Sequence, residues 1–338
     1  MIKEAIESLV SGRSLTSEQA SGVMEEIMGG KATPAQIAAF ITALRIKGET
    51  ADEIAGLARV MLAKAIPVKV TSPVVDTCGT GGDKSSSFNV STAAAFIAAG
   101  AGLKVAKHGN RAMSSRCGSA DVLEALGVDI ELEAEAVAEC LEKIGIGFMF
   151  APLFHPAMKY AAGPRRDIGI RTVFNILGPL VSPAHAQFQV MGVATKELGE
   201  KIASVLQRLG TKHALVVHGI DGMDEISIAD KSLVWEVTEE GVLPPYEVSP
   251  QYFGFKEAKL KEIKGGTPED NARILRSVLK GERGPRRDIA VMNAAAAIVA
   301  ANRASDLKEG ARIAQESIDS GRALEKLDAL IKLSQSLD

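Results

Sequence analysis

From Val74 onward the chain alternates short β-prone runs with segments of helix length, and this alternation limits the folds open to it. The β-prone runs lie at 74–76, 103–106, 147–150, 187–193 and 214–218. Helical patterns fill 93–100, 119–126, 133–143, 198–209, 267–279, 286–302, 307–319 and 322–336. Strands joined by helices of that length predict right-handed crossovers and a mostly parallel sheet. The pattern changes after 225. Ile226-Ser227-Ile228, Leu233-Val234-Trp235-Glu236-Val237 and Glu247-Val248 predict short antiparallel strands. Abundant alanine and glycine, with only 4% aromatics, suit helices packed closely on such a sheet.

The first 69 residues carry no strand pattern. Thr16-x-x-Gln19, Thr33-Pro34-Ala35-Gln36 and Thr50-x-x-Glu53 each read as a capping box, the second with proline at the first helical position. Ile54, Leu57, Ala58, Met61, Leu62 and Ala65 share one helical face. The expected fold class is therefore α/β. A small N-terminal α-helical domain, 1–69, serves packing or dimerisation, and a larger α/β domain, 70–338, holds a central, mostly parallel sheet. The segment around 155–180 is expected to pack on the helical domain.

The first strand ends in Asp76-Thr77-Cys78-Gly79-Thr80-Gly81-Gly82-Asp83, and an alanine-rich helix starts near Ala93. Strand, glycine loop and helix start together point backbone N–H groups at an anion. Ser91 and Thr92 read as N-cap residues whose hydroxyls could also meet a phosphate or a metal-bound water. The loop is neither a P-loop, lacking Gly-Lys-Ser/Thr, nor a dinucleotide fingerprint, since Lys84 stands where the last glycine belongs. An ordinary turn is the competing reading.

Composition narrows the partners. Net charge is −3, which speaks against a nucleic-acid surface. The longest apolar run, 93–103, is too short to span a bilayer. Met1-Ile2-Lys3-Glu4-Ala5 lacks the apolar core of a signal peptide, and Cys78, Cys117 and Cys140 show no metal spacing. These features predict reduced thiols and a cytoplasmic protein.

Two further loops follow strands. Residues 107–119 gather Lys107, His108, Gly109, Asn110, Arg111, Ser114, Ser115, Arg116, Gly118 and Ser119, a donor set suited to a diphosphate. In an open α/β sheet this loop shares the crevice at the carboxyl ends of the strands with the glycine loop. Asp221-Gly222-Met223-Asp224-Glu225 supplies adjacent carboxylates of the kind that hold Mg²⁺ beside phosphates, although Asp-Gly is also a common turn. Gly163-Pro164-Arg165-Arg166-Asp167 reads as a helix start continuing into Arg171-Thr172, with arginines suited to clamp a carboxylate. His155 and His213 read as structural.

Taken together, Gly79-Thr80-Gly81-Gly82-Asp83, Phe88-Asn89-Val90-Ser91-Thr92, Lys107-His108-Gly109-Asn110-Arg111-Ala112-x-Ser114-Ser115, Gly118-Ser119-Ala120-Asp121 and Gly222-Met223-Asp224-Glu225 resemble the anthranilate phosphoribosyltransferase family. Arg171-Thr172-x-Phe174-Asn175-x-Leu177-Gly178-Pro179-Leu180 extends the likeness, which covers nearly the whole chain. The resemblance implies a fold of the nucleoside phosphorylase and phosphoribosyltransferase kind. It implies transfer of phosphoribose from 5-phosphoribosyl 1-diphosphate to the amine of anthranilate, in tryptophan biosynthesis. It also implies Mg²⁺, two ions with substrate bound, and a homodimer formed through the helical domain. Carried over by residue, Gly79, Gly82, Asp83, Ser87, Asn89, Val90, Ser91, Thr92, Lys107, His108, Gly109, Asn110, Arg111, Ala112, Met113, Ser114, Ser115 and Ser119 would meet the diphosphate substrate. Gly79, Asn110 and Arg165 would meet anthranilate, and Ser91, Asp224 and Glu225 would serve Mg²⁺. No catalytic acid or base is assigned. Ser87 replaces the family's usual threonine and keeps the hydroxyl, and Lys84 stands where a small residue is common. Two alternatives stay open: a pyrimidine nucleoside phosphorylase, which needs no carboxylate pair, and a nucleic-acid-binding relative, which needs a basic face.

Overall fold

A computed structural model describes residues 1–83, 85–112 and 116–337. Lys84, Met113, Ser114 and Ser115 lie outside the described residues. Helices α1 (Ile2–Val10), α2 (Ser17–Met28), α3 (Pro34–Lys47) and α4 (Ala51–Ala63) come first. All three capping boxes form, each with the threonine hydroxyl accepting from the N3 amide and the N3 side chain accepting in return. The third reaches further. Glu53 is fully buried and accepts from Thr50 N at 2.7 Å, Leu15 N at 2.8 Å and Lys47 Nζ at 2.9 Å. One carboxylate thus caps α4, anchors the chain before α2 and pairs with the end of α3.

The α/β part runs β1 (Val75–Gly79), α5 (Val90–Gly100), β2 (Val105–Gly109), α6 (Ser119–Ala125), α7 (Ala134–Ile144), β3 (Ile146–Phe150) and three short helices. These are α8 (Ala151–Phe154), α9 (Lys159–Ile168) and α10 (Phe174–Leu177). Then come β4 (Phe188–Gly192), α11 (Lys196–Leu209), β5 (His213–Gly219), β6 (Ser232–Thr238), β7 (Gly241–Val242) and β8 (Tyr246–Val248). Helices α12 (Pro268–Leu279), α13 (Pro285–Ala300), α14 (Leu307–Asp319) and α15 (Arg322–Ser334) finish the chain. Among the described residues the sheet order is β3-β2-β1-β4-β5-β6-β7, with β8 on β6. Strands β1 to β5 are parallel and β6 to β8 antiparallel, so the predicted α/β class and mostly parallel sheet hold. The strand order turns back at β1 and β4, where an open sheet leaves a crevice for ligands.

The alanine-rich helices α5 and α13 pack on each other and on the sheet, and their small side chains are almost wholly buried. A second core joins α1–α4 to Ala161, Val173, Phe174, Leu177, Met191, Val193 and Trp235, so one apolar layer links the helices to the far face of the sheet. Helix α9 packs on α3 and α2.

Three local expectations need correction. Residues 226–228 form no strand: the Asn293 amide brackets Ile226, accepting from its N at 2.9 Å and donating to its O at 3.1 Å, and Ser232 Oγ accepts from Ser227 N. Side chains there supply the partners a ladder would have given. The helix around Arg165 begins at Lys159, not at Gly163, and ends at Gly169 with φ 64°. Pro164 is interior, its ring buried in the packing of α9, so it does not mark the start. Finally, α5 begins at Val90 with Asn89 as its N-cap. Ser91 and Thr92 therefore belong to its first turn, and the Asn89 side chain, which makes no capping bond, is spent on Cys117 O and on Asn271 of α12.

Glu53→Ala strips the partner from buried Lys47 and unsatisfies two amides. Breaking a buried pair costs about 3–5 kcal/mol. Urea unfolding of the variant should show a clear fall in midpoint, and a midpoint equal to wild type would refute this role.

Candidate active site

The glycine loop leaves β1 across the end of β4, held by Thr80 N donating to Gly192 O at 2.9 Å. Gly81 (φ 65°) and Gly82 (φ 86°) take left-handed backbone that other residues resist. Gly81 N donates to Asp224 Oδ2 at 2.7 Å, and Arg171 Nη2 donates to Thr80 O and Gly81 O at 2.9 Å each. The guanidinium thus holds the carbonyls of the turn. Asp83 accepts from Ser85 N at 3.2 Å and lies beside Asp224. Ser87 bridges to Lys264.

Asp224 and Glu225 arrive from the loop after β5. Glu225 Oε1 accepts from Ser91 N at 3.2 Å in the first turn of α5, a helix N-terminus that favours negative charge. Burial pushes the Asp224 carboxyl above the usual carboxylate range, and the Asp83 charge adds to this. Glu225 is pushed up by burial and then by Asp224. Among the described residues no three His, Cys, Asp or Glu side chains could hold a metal by themselves. Crowded carboxylates held at a helix start nonetheless suit Mg²⁺, which takes one or two carboxylates and completes its shell with phosphate oxygens and water.

The second loop leaves β2. Lys107 is buried; its ammonium donates to Thr77 O, and burial lowers its pKa while buried Asp76 opposes that. His108 N donates to Asp76 Oδ1 at 3.2 Å. The His108 ring packs 5.1 Å from that of His155, and burial pushes the two down to about 3 and about 4, so both are neutral at neutral pH. Asp121 Oδ2 accepts from Ala112 N at 2.9 Å and Gly118 N at 2.8 Å, clasping the two ends of the loop. Gly109 leaves no room for a Cβ beside Phe148 and Ser119, while Asn110 Oδ1 accepts from Arg111 N at 2.7 Å. Arg111 pairs with Glu124 at 2.7 and 3.0 Å and with Asp121 at 3.3 Å, so its charge is largely met within the protein. Val90 is buried in the core and offers a ligand only its backbone. The Thr92 hydroxyl is buried without a hydrogen-bond partner among the described residues. Ser119 Oγ lies 3.5 Å from Asn110 O.

Arg165 stands in the last turn of α9, half-buried, its guanidinium 5.0 Å from the centre of the Phe174 ring. The guanidinium makes no hydrogen bond or ion pair among the described residues, and burial disfavours its charge. Its neighbour Arg166 is exposed beside Asp167 at 3.7 Å. Direct bonds join 79–83 and 87–92 to 224–225, and Thr77 ties the second loop to them by accepting from Lys107 Nζ at its O and donating from its Oγ1 to Ser91 O; Arg165 bonds to neither Gly79 nor Asn110. The supporting parts that local sequence reading misses are Arg171's grip on the glycine loop and the amides of Asn271 and Asn293. Arg171 stands within a family motif, whereas a single asparagine on a helix carries no local signal.

The helical bundle domain of the glycosyl transferase family matches residues 3–65, and the a/b domain of that family matches 71–324. The chain is 59% identical to an anthranilate phosphoribosyltransferase of Dehalococcoides mccartyi, covering 100% of this chain and 99% of that one. It is also 59% identical to one of Chloroflexus aggregans, covering 99% and 98%. The structure of the Thermus thermophilus enzyme superposes with a TM-score of 0.92 at 43% identity, covering 98% of this chain and 99% of that one. The Saccharomyces cerevisiae enzyme, solved in complex with PRPP and Mg, gives 0.92 at 32% identity, covering 99% and 98%. This chain belongs to the anthranilate phosphoribosyltransferase family.

Proposed function

We propose that this protein transfers the phosphoribosyl group of 5-phosphoribosyl 1-diphosphate to the amine of anthranilate, giving N-(5-phosphoribosyl)anthranilate and diphosphate in tryptophan biosynthesis. The observation that carries this reading is the convergence of a glycine loop, a helix N-terminus and an acidic pair at one switch point, through Gly81 N on Asp224 and Ser91 N on Glu225. A phosphorylase reading leaves that acidic pair without a task.

In this reading Gly79, Gly82, Asp83, Ser87, Asn89, Ser91, Thr92, Lys107 and Ser119 hold the diphosphate substrate, together with the backbone of 90 and 108–112. Ser91, Asp224 and Glu225 serve Mg²⁺. When bound, Mg²⁺ supplies positive charge to the leaving diphosphate. As the bond from C1 to diphosphate breaks, negative charge grows on the leaving group. The loop amides and Lys107 sit where preorganised donors can stabilise it. Gly79, Asn110 and Arg165 hold anthranilate. Its aromatic amine is unprotonated at neutral pH, so the remaining work is to place that nitrogen against C1.

The same reading includes a homodimer formed through α1–α4, where Val10 is 71% and Ile46 82% exposed. It also places the protein in the cytoplasm, in keeping with three cysteines that remain thiols. No helix among the described residues is long and apolar enough to cross a membrane.

Three outcomes test the reading. With anthranilate, 5-phosphoribosyl 1-diphosphate and Mg²⁺, anthranilate fluorescence should decay with wild type and stay flat with Asp224→Ala/Glu225→Ala of normal circular dichroism. A flat wild-type trace sinks the activity, and a double variant within a few-fold of wild type sinks the acidic pair's role. Arg165→Ala should raise the anthranilate KM about 10- to 150-fold, the equivalent of a charged hydrogen bond of roughly 1.5–3 kcal/mol, and leave that for 5-phosphoribosyl 1-diphosphate nearly unchanged. An unchanged anthranilate KM moves the assignment to Arg166 or off this helix. Sedimentation should give a dimer at micromolar concentration, and a monomer there counts against the helical interface.

A further inference from the structure

Asn89 N-caps α5 between the two substrate loops, and its amide has a definite orientation. Its Oδ1 accepts from Asn271 Nδ2 at 2.9 Å, and its Nδ2 donates to Cys117 O at 3.2 Å. Asn271 in turn uses its Oδ1 to accept from Gly266 N at 2.9 Å. The relay is Gly266 N–H to Asn271, Asn271 to Asn89, and Asn89 to the Cys117 carbonyl. Both ends are backbone groups with one possible role each, a donor at Gly266 and an acceptor at Cys117. The two amides between them cannot be turned over without setting donor against donor or acceptor against acceptor.

The Gly266 end is itself fixed. Phe88 N donates to Ile263 O and Gly265 N to Ser86 O, both at 3.0 Å, so the 263–266 segment lies strapped along 86–88. A Cβ on Gly265 would sit 2.9 and 3.0 Å from the Phe88 backbone, so only glycine fits there. Asn271 is 3% exposed, and the Cys117 thiol lies within its hydrogen-bonding reach as well. Its place is the first part of α12, where that helix meets the loops at 86–89 and 117, away from solvent.

The consequence falls on the ligand side of Asn89. An amide carries two N–H groups, and one is spent on Cys117. The other has no partner among the described residues. We propose that Asn271 is a positioning residue that holds the Asn89 amide so that its N–H, not its C=O, faces the diphosphate substrate. This rests on the reading that 5-phosphoribosyl 1-diphosphate binds at the glycine loop. An amide turned the other way would offer a carbonyl oxygen to a polyanion and forfeit a charge-assisted bond.

Asn271→Asp tests the direction of the relay. A carboxylate accepts from Gly266 N as before, but it can only accept from Asn89, and so favours turning that amide over at the loss of its bond to the Cys117 carbonyl. The KM for 5-phosphoribosyl 1-diphosphate should rise at least about tenfold, roughly one charged hydrogen bond, with the anthranilate KM unchanged. An alanine cycle covers the case in which the aspartate variant fails to fold. Calorimetric titration with 5-phosphoribosyl 1-diphosphate and Mg²⁺ on Asn89→Ala, Asn271→Ala and the double variant should be non-additive, Asn271→Ala costing little once Asn89 is gone. An Asn271→Asp enzyme with a wild-type KM overturns the inference. So do losses that add, or a fall in thermal midpoint and kcat with no change in that KM, since these mark a merely structural residue. A wild-type enzyme that consumes no anthranilate removes the underlying activity and the inference with it.

Discussion

Two backbone amides, Gly81 N–H and Ser91 N–H, each meet a carboxylate from a loop more than a hundred residues away in sequence. The rest of the site depends on that meeting. It requires β1, β4 and β5 to lie side by side in register, with Gly79 opposite Gly192. It also requires Gly192 to lack a Cβ, because the Asp224 backbone passes directly over it. Three acids, Asp83, Asp224 and Glu225, are gathered together, and the one buried ammonium, Lys107, acts on Glu225 and on buried Asp76. Burial and mutual repulsion raise the carboxyls of Asp224 and Glu225, which is unfavourable for the protein alone. A site that keeps such an arrangement is organised for added positive charge and phosphate, and the parallel sheet provides the rigid frame that tolerates it.

Much of this architecture was legible in the sequence because its signals are periodic or local. Alternating strand and helix lengths gave the sheet, and the Thr-x-x-Gln/Glu spacing gave three helix starts that form as read. Two of the failures share one physical cause: side chains took over work that local rules assign to the backbone or its cap. Ile226 found partners in Asn293, 67 residues away, and so needed no strand. Asn89 rather than Ser91 or Thr92 stands at the N-cap of α5, with its amide engaged by Asn271, 182 residues away. Pro164 looked like a helix start, yet it lies inside α9 where packing on α3 and α2 offsets one lost hydrogen bond. Arg111 read as a donor for a diphosphate, and α6 brings Glu124 and Asp121 against it.

Two guanidiniums six residues apart have opposite surroundings. Arg171 is exposed, but both of its bonds go to carbonyls of the glycine loop, so its charge serves the shape of that loop. Arg165 is half-buried, and among the described residues its guanidinium has only the face of Phe174, a contact worth roughly 0.5–2 kcal/mol. That is less than a desolvated guanidinium gives up in lost hydration, which is why burial disfavours its charge. Helix α9 holds it there by packing on the N-terminal helices, and Arg171 in the following segment grips the glycine loop. A shift of α9 on α3 would therefore move the unpaired cation while the short segment to Arg171 pulled on the glycine loop. The helical bundle acts on both sides of the crevice through one short stretch of chain, which is a physical reason for a catalytic sheet to carry a helical domain at all.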